Sequence, residues 1–146
     1  PLTGSYARDI VVNVFDGKMH PVDSNEMAFK LAGRNAFKEA FKNAGPKILE
    51  PIYDIEITVP SELMGGVMTD LQSRRAVVMG MDSEGMNTII KAKIPLAETY
   101  RYSTALSSIT SGRAVFAMQF SEYEAVPSDV QSKLLKAYEE QTKDEE

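Results

Sequence analysis

Tyr53-Asp54-Ile55-Glu56-Ile57-Thr58-Val59-Pro60 alternates apolar and polar side chains and stops at a proline. Strict period-two alternation in a β-branched stretch reads as a half-buried strand, and Pro60 ends its ladder. Residues 61–73 open with Ser61 as a capping residue and Glu62 beside it, and read as a helix that Gly65-Gly66 weakens. Val77, Met79 and Met81 alternate as a second strand, Glu84-Gly85-Met86-Asn87 reads as a turn, and Ile90, Ala92 and Ile94 alternate with Lys91 and Lys93 in a third. A shorter helix fits 97–110, stopped by Ser111-Gly112, and Phe116, Met118 and Phe120 mark a last strand. Met79, Met81 and Met118 read as core filler. The order β-α-β-β-α-β is the ferredoxin-like split arrangement, an α+β sandwich whose length of about 75 residues can close a two-layer core.

Outward from this unit the pattern changes. In residues 9–15, Ile10, Val12 and Val14 share one face and predict a strand, closed by Asp16-Gly17. A loop follows at 18–25, where Pro21 disfavours helix, and Asp23, Ser24 or Asn25 can cap the helix expected over 26–44. That helix ends at Gly45-Pro46. Ala28, Ala32, Ala36 and Ala40, with Phe29, Phe37 and Phe41 beside them, form a stripe suited to packing on a sheet, while Lys30, Arg34, Lys38 and Lys42 draw a basic ridge. Residues 128–142 predict a final amphipathic helix capped by Ser128, with Val130, Leu134, Leu135 and Tyr138 on its packing face and a frayed tail at 143–146. One strand and one helix cannot bury both faces of a layer, so residues 1–49 read as the end of a domain whose other strands lie upstream. The division is then 1–49, 50–127 and 128–146.

Composition removes most enzyme classes. With 43% hydrophobic and 25% charged residues the chain is globular in type. Zero cysteines exclude disulfides and thiolate chemistry, and the single histidine argues against a histidine triad or polyhistidine metal centre. Neither G-x-x-x-x-G-K-[ST] nor G-x-G-x-x-G occurs, so the usual phosphate cradles are missing. No apolar run suits a membrane span, and the N-terminus has no signal-peptide pattern. Net charge is −5, which argues against DNA coating. It is unevenly spread: residues 1–49 hold seven Lys/Arg against five Asp/Glu, residues 50–127 six against ten, and residues 128–146 three against six.

Several stretches resemble one known family. Asp16 to Gly33, with His20-Pro21-Val22-Asp23-Ser24-Asn25 inside it, is similar to the tip loop and following helix of domain IV of bacterial elongation factor G, the ribosomal translocase. Leu49-Glu50-Pro51-Ile52 resembles its junction into domain V, and Asp70 to Arg75, Ile94 to Glu98 and Phe120 to Pro127 resemble domain V in order and spacing. The resemblance implies a ribosome-binding part of a cytoplasmic translation factor, with rRNA, tRNA–mRNA and stalk-base proteins as partners and neither DNA nor membrane. It implies that this chain is no enzyme by itself, holds no metal or cofactor, and depends on a separate G domain for GTP and Mg²⁺. His20, Pro21, Asp23, Ser24 and Asn25 are then expected to face the tRNA–mRNA in the decoding centre. Ser107, Ser108, Ser111 and Arg113 lie in the turn expected near the sarcin–ricin loop, and Lys30, Arg34, Lys38, Arg74 and Arg75 are further rRNA candidates. Where the family usually carries an arginine and a glutamine, this chain has Ser107 and Ser111; it also has Ala76 where a glycine is usual. These departures suggest a divergent paralogue.

Each candidate has a plainer reading. The basic ridge can be a solvated helix face, the arginines can close ion pairs with their own domain's carboxylates, and Asp23, Ser24 and Asn25 can serve the helix cap. Other function classes stay open: a ribosome-protection or recycling paralogue, a stand-alone RRM-like RNA-binding module suggested by Gly112 to Phe120, or a metabolite-binding regulatory domain.

Overall fold

In the computed structural model residues 2–144 are described. In chain order they form α1 (Glu26–Asn43), β1 (Leu49–Pro60), α2 (Met64–Ser73), β2 (Val77–Glu84), β3 (Asn87–Pro95), α3 (Tyr102–Thr110), β4 (Val115–Ala125) and α4 (Ser128–Asp144). The four strands build one sheet in the order β2-β3-β1-β4, antiparallel throughout. That is the ferredoxin-like arrangement read from the alternation. Ile55, Ile57 and Val59 of β1 and Ile90, Ala92 and Ile94 of β3 point to one face. There they meet Val67 and Leu71 of α2 and Tyr102 and Leu106 of α3. Burying each Val, Leu or Ile is worth about 1.5–3 kcal/mol, so these two central strands and two helices hold the unit together. Gly66 lets α2 and α3 approach closely, because a Cβ there would stand 2.9 Å from Ile109 Cγ2.

Chain contacts separate Leu49–Ala125 from the residues on either side, which group as a second unit. In that second unit α4 joins the N-terminal segment. Val126 N–H donates to Ile48 O at 2.9 Å. Gln131 accepts from Ile48 N–H at 3.1 Å and donates to Pro46 O at 3.3 Å. Val130, Leu135 and Tyr138 of α4 are half-buried as expected, but Leu134 is exposed. The helix extends past 142 to Asp144, and Ser128 stands in its first turn. Glu145 and Glu146, read as part of a frayed tail, lie outside the described residues.

Local differences from the sequence reading have physical causes. Residues 9–15 form no strand, and Ile10, Val12 and Val14 are exposed. A strand is stabilised by its ladder, and no described residue pairs with this stretch. The stripe on α1 likewise buries nothing; Phe37 and Phe41 stack on each other, with centroids 5.7 Å apart. In β2 a register shift between Val78 and Gly80 breaks the alternation. Val77 therefore pairs with Lys93 on the outer face, and Val78 turns to the core. Met79 is 62% exposed and Met81, on the edge strand, 50%, so neither fills the core, whereas Met118 packs against it. Ser61 does not cap α2: it sits in a 3-10 turn at Ser61–Leu63, and its hydroxyl bonds that of Thr88 at 2.9 Å. The segment read as one helix over 97–110 is a 3-10 turn at Leu96–Thr99, then Arg101 at φ 53, then α3.

Candidate functional site

The loop before α1 is tied to itself. Ser24 accepts a hydrogen bond from His20 N–H at 2.6 Å and returns its own N–H to His20 O at 3.2 Å. Of the three capping candidates Asn25 takes the role, its Oδ1 accepting from Ala28 N–H at 2.8 Å. Ser24 thereby shapes the loop, and Asp23 and Pro21 remain displayed on it. His20 is exposed, and Val22 N–H reaches its Nδ1 at 3.4 Å. In that neutral tautomer Nε2–H is the free donor. Asp23 Oδ2 stands 3.4 Å from the same Nδ1, a partner for the protonated ring. The loop can thus offer a donor, a carboxylate and backbone groups from a closed turn seated on a capped helix.

Along α1, Lys30 pairs with Glu26 at 2.6 Å. Arg34, Lys38 and Lys42 have no carboxylate partner among the described residues, and all are exposed. The ridge therefore presents a net positive face.

The arginines of the sandwich are engaged internally. Arg74 donates to Asp70 Oδ2 at 2.9 Å and to the carbonyls of Glu98 and Tyr100 at 2.7 and 3.3 Å, with its guanidinium 5.1 Å from the Tyr102 ring centroid. Arg75, at φ 58, makes a bidentate pair with Glu50 at 2.8 and 3.0 Å and reaches Glu98 at 3.1 Å. The bond to Glu50 is the main cause that raises its pKa further; burial opposes it, and Glu98 adds to the rise. Arg113 pairs with Glu62 at the surface. The ion-pair alternative thus accounts for the position of all three, and only Arg113 is substantially exposed. Ser107, Ser108 and Ser111 are exposed together at the end of α3, where Ser111 adopts φ 52 and Gly112 N–H closes the helix on Ser107 O at 3.0 Å. On the outer face of the sheet Lys93 meets Glu122 at 3.0 Å and Lys91 meets Asp82 at 3.1 Å. These hydrogen bonds raise both lysine pKa values and lower that of Glu122.

Sequence reasoning passed over Tyr100 and Arg101, because they lay inside a presumed helix. It also did not foresee Glu50 and Glu98 as partners of Arg75, which no spacing links. Among the described residues no group of three His, Asp or Glu could hold a metal ion, and no helix is long and apolar enough to cross a membrane.

Fold and site define an α+β chain that displays polar loops from rigid supports. Residues 47–134 match the family Elongation factor G C-terminus, and residues 1–45 match Elongation factor G, domain IV. The chain belongs to the elongation factor G family. It is 46% identical over 134 residues to elongation factor G of Aquifex pyrophilus, covering 92% of this chain and 19% of that protein. It is 48% identical over 136 residues to elongation factor G of Thermotoga maritima, covering 93% and 20%. A crystal structure of a Thermus thermophilus protein superimposes with a TM-score of 0.68 at 37% identity, over 86% of this chain and 19% of that one. The chain thus spans about a fifth of the length of the curated relatives it matches.

Proposed function

We propose that this chain is the ribosome-facing C-terminal part of an elongation factor G-type translocase in the cytoplasm. The His20–Asn25 loop contacts tRNA–mRNA in the decoding centre. The Ser107–Arg113 turn contacts large-subunit rRNA beside stalk-base proteins. GTP and Mg²⁺ belong to a G domain outside this chain, so the chain alone hydrolyses nothing. The observation that supports this reading best is the loop itself, closed by the two His20–Ser24 hydrogen bonds while the His20 ring stays exposed. A preformed turn on a capped helix can reach a partner without ordering on arrival.

The test is His20→Ala in the complete protein, followed by rapid-mixing kinetics of tRNA–mRNA movement beside multiple-turnover GTP hydrolysis. One neutral hydrogen bond is worth about 0.5–1.5 kcal/mol, so movement should slow roughly two- to twelvefold while hydrolysis stays near wild type. Ser24→Ala, which removes the side-chain bond of the two that close the turn, should slow movement as well. Unchanged movement in both variants would remove the loop from the mechanism.

A further inference from the structure

Within Leu49–Ala125 the cations are neutralised one by one. Arg74 pairs with Asp70, Arg75 with Glu50 and Glu98, Lys91 with Asp82, Lys93 with Glu122 and Arg113 with Glu62. Arg101 is the exception: among the described residues no carboxylate lies within ion-pair distance of it. Its position is also locally unfavourable. A non-glycine residue at φ 53 is in the left-handed region. As the N-cap of α3, with no side-chain capping bond, it sets a cation at the positive end of the helix dipole. The conformation joins the 3-10 turn to α3, Arg101 O accepting from Ala105 N–H at 3.1 Å, so the backbone fixes where this side chain is displayed. The Arg101 guanidinium lies 5.4 Å from the ring centroid of Tyr100, itself 75% exposed. Both residues are held firmly from either side. Arg74 grips the carbonyls of Glu98 and Tyr100, and the next residue, Tyr102, is 2% exposed with its ring edge-on to Phe116 at 5.1 Å.

We propose that Tyr100 and Arg101 form an RNA contact, the ring stacking on an unpaired base and the guanidinium meeting its phosphate. The proposal rests on the ribosome-binding reading above and adds a site outside the His20 loop and the Ser107–Arg113 turn. RNA is favoured over an acidic protein segment because a carboxylate would use the cation alone, whereas a nucleotide uses cation and ring face together.

The experiment measures binding of the complete protein to purified large ribosomal subunits across a salt series, for wild type, Arg101→Gly, Arg101→Lys and Tyr100→Ala. Arg101→Gly should weaken binding and flatten the log–log salt slope by about 0.7–0.9, the share of one phosphate. Arg101→Lys should keep the slope. Tyr100→Ala should weaken binding roughly fivefold or more with the slope unchanged. Glycine accepts φ 53 without strain, so Arg101→Gly should melt no lower than wild type, which separates lost binding from lost folding. Ultraviolet crosslinking and chemical probing of all four bases should find an unpaired base whose crosslinking or reactivity wild type changes and Tyr100→Ala does not. Wild-type affinity and slope in Arg101→Gly and Tyr100→Ala would overturn the proposal, and so would weakened binding without any such base, which would indicate a protein partner. If wild type itself does not bind the subunits, the functional reading fails and this one with it.

Discussion

Tyr102 places its hydroxyl in the core with no hydrogen-bond partner among the described residues. Its ring is useful there, packed by Phe116 and overlain by Arg74, but the oxygen is not. Burial first, and then the nearby Asp70 carboxylate, push its pKa from 10.0 up to about 12, against a lowering by Arg74. A pKa raised in the folded state favours the protonated form. Its contribution is therefore whole below pH 10 and is lost as pH climbs from about 10 to about 12. Tyr102→Phe should remove that part of the alkaline loss. It should not lower stability at pH 7, because it deletes an unsatisfied buried group. Urea unfolding of the 146-residue chain at a series of pH values checks both points. The alkaline loss arising from Lys91 and Lys93 should persist in both proteins. A phenylalanine variant less stable at neutral pH would mean that the hydroxyl has a partner after all.

Between elements, two contacts add to the Val67 and Leu71 packing that holds α2. Gly66→Ala gains about 1 kcal/mol in helix propensity. It also drives a methyl to 2.9 Å from Ile109 Cγ2 on α3, and overpacking costs about 1–3 kcal/mol. A net loss of up to about 2 kcal/mol is expected, turning to a gain in an Ile109→Ala background. Denaturant unfolding of the four proteins of that cycle reads the coupling; a gain in both backgrounds would show that α3 yields freely. The second contact is the Arg75 bridge from the end of α2 to Glu50 at the start of β1. The Arg75 side chain is 29% exposed and that of Glu50 12%. Arg75→Ala should cost about 2–3 kcal/mol, below the figure for a fully buried pair whose partner is left alone. Arg113→Ala, which breaks the surface pair with Glu62, should cost about 0–1 kcal/mol. Equal losses from the two would mean that burial does not set the difference.

At the scale of the whole molecule, charge is sorted by segment. Residues 1–49 hold seven Lys/Arg against five Asp/Glu, while residues 50–127 hold six against ten. If the ridge meets phosphate, changing Lys30, Arg34 and Lys38 to Ala in the complete protein should weaken ribosome binding and reduce its salt dependence. The reduction should be about 0.7–0.9 in log–log slope for each phosphate that the variant no longer neutralises. An unchanged slope would make the ridge a solvated helix face. The sequence alone determined what depends on neighbours along the chain. The alternation at Tyr53–Val59, the turn at Glu84–Asn87 and the stop at Ser111-Gly112 specified a βαββαβ unit, because side-chain period and turn chemistry are local properties. The loop and cap at His20–Asn25 were legible for the same reason, though not which of three residues caps. Tertiary structure alone decided the rest. Ile10, Val12 and Val14 have β-branched character but no ladder in the described residues, since a strand exists only with its partner. Met79 left the core through a bulge that depends on the register with β3. Arg74 and Arg75 became structural through Asp70, Glu98 and Glu50, and among the described residues of Leu49–Ala125 Arg101 was left without a carboxylate. An ion pair forms only where the fold brings a carboxylate within reach, and no spacing in the sequence records that distance.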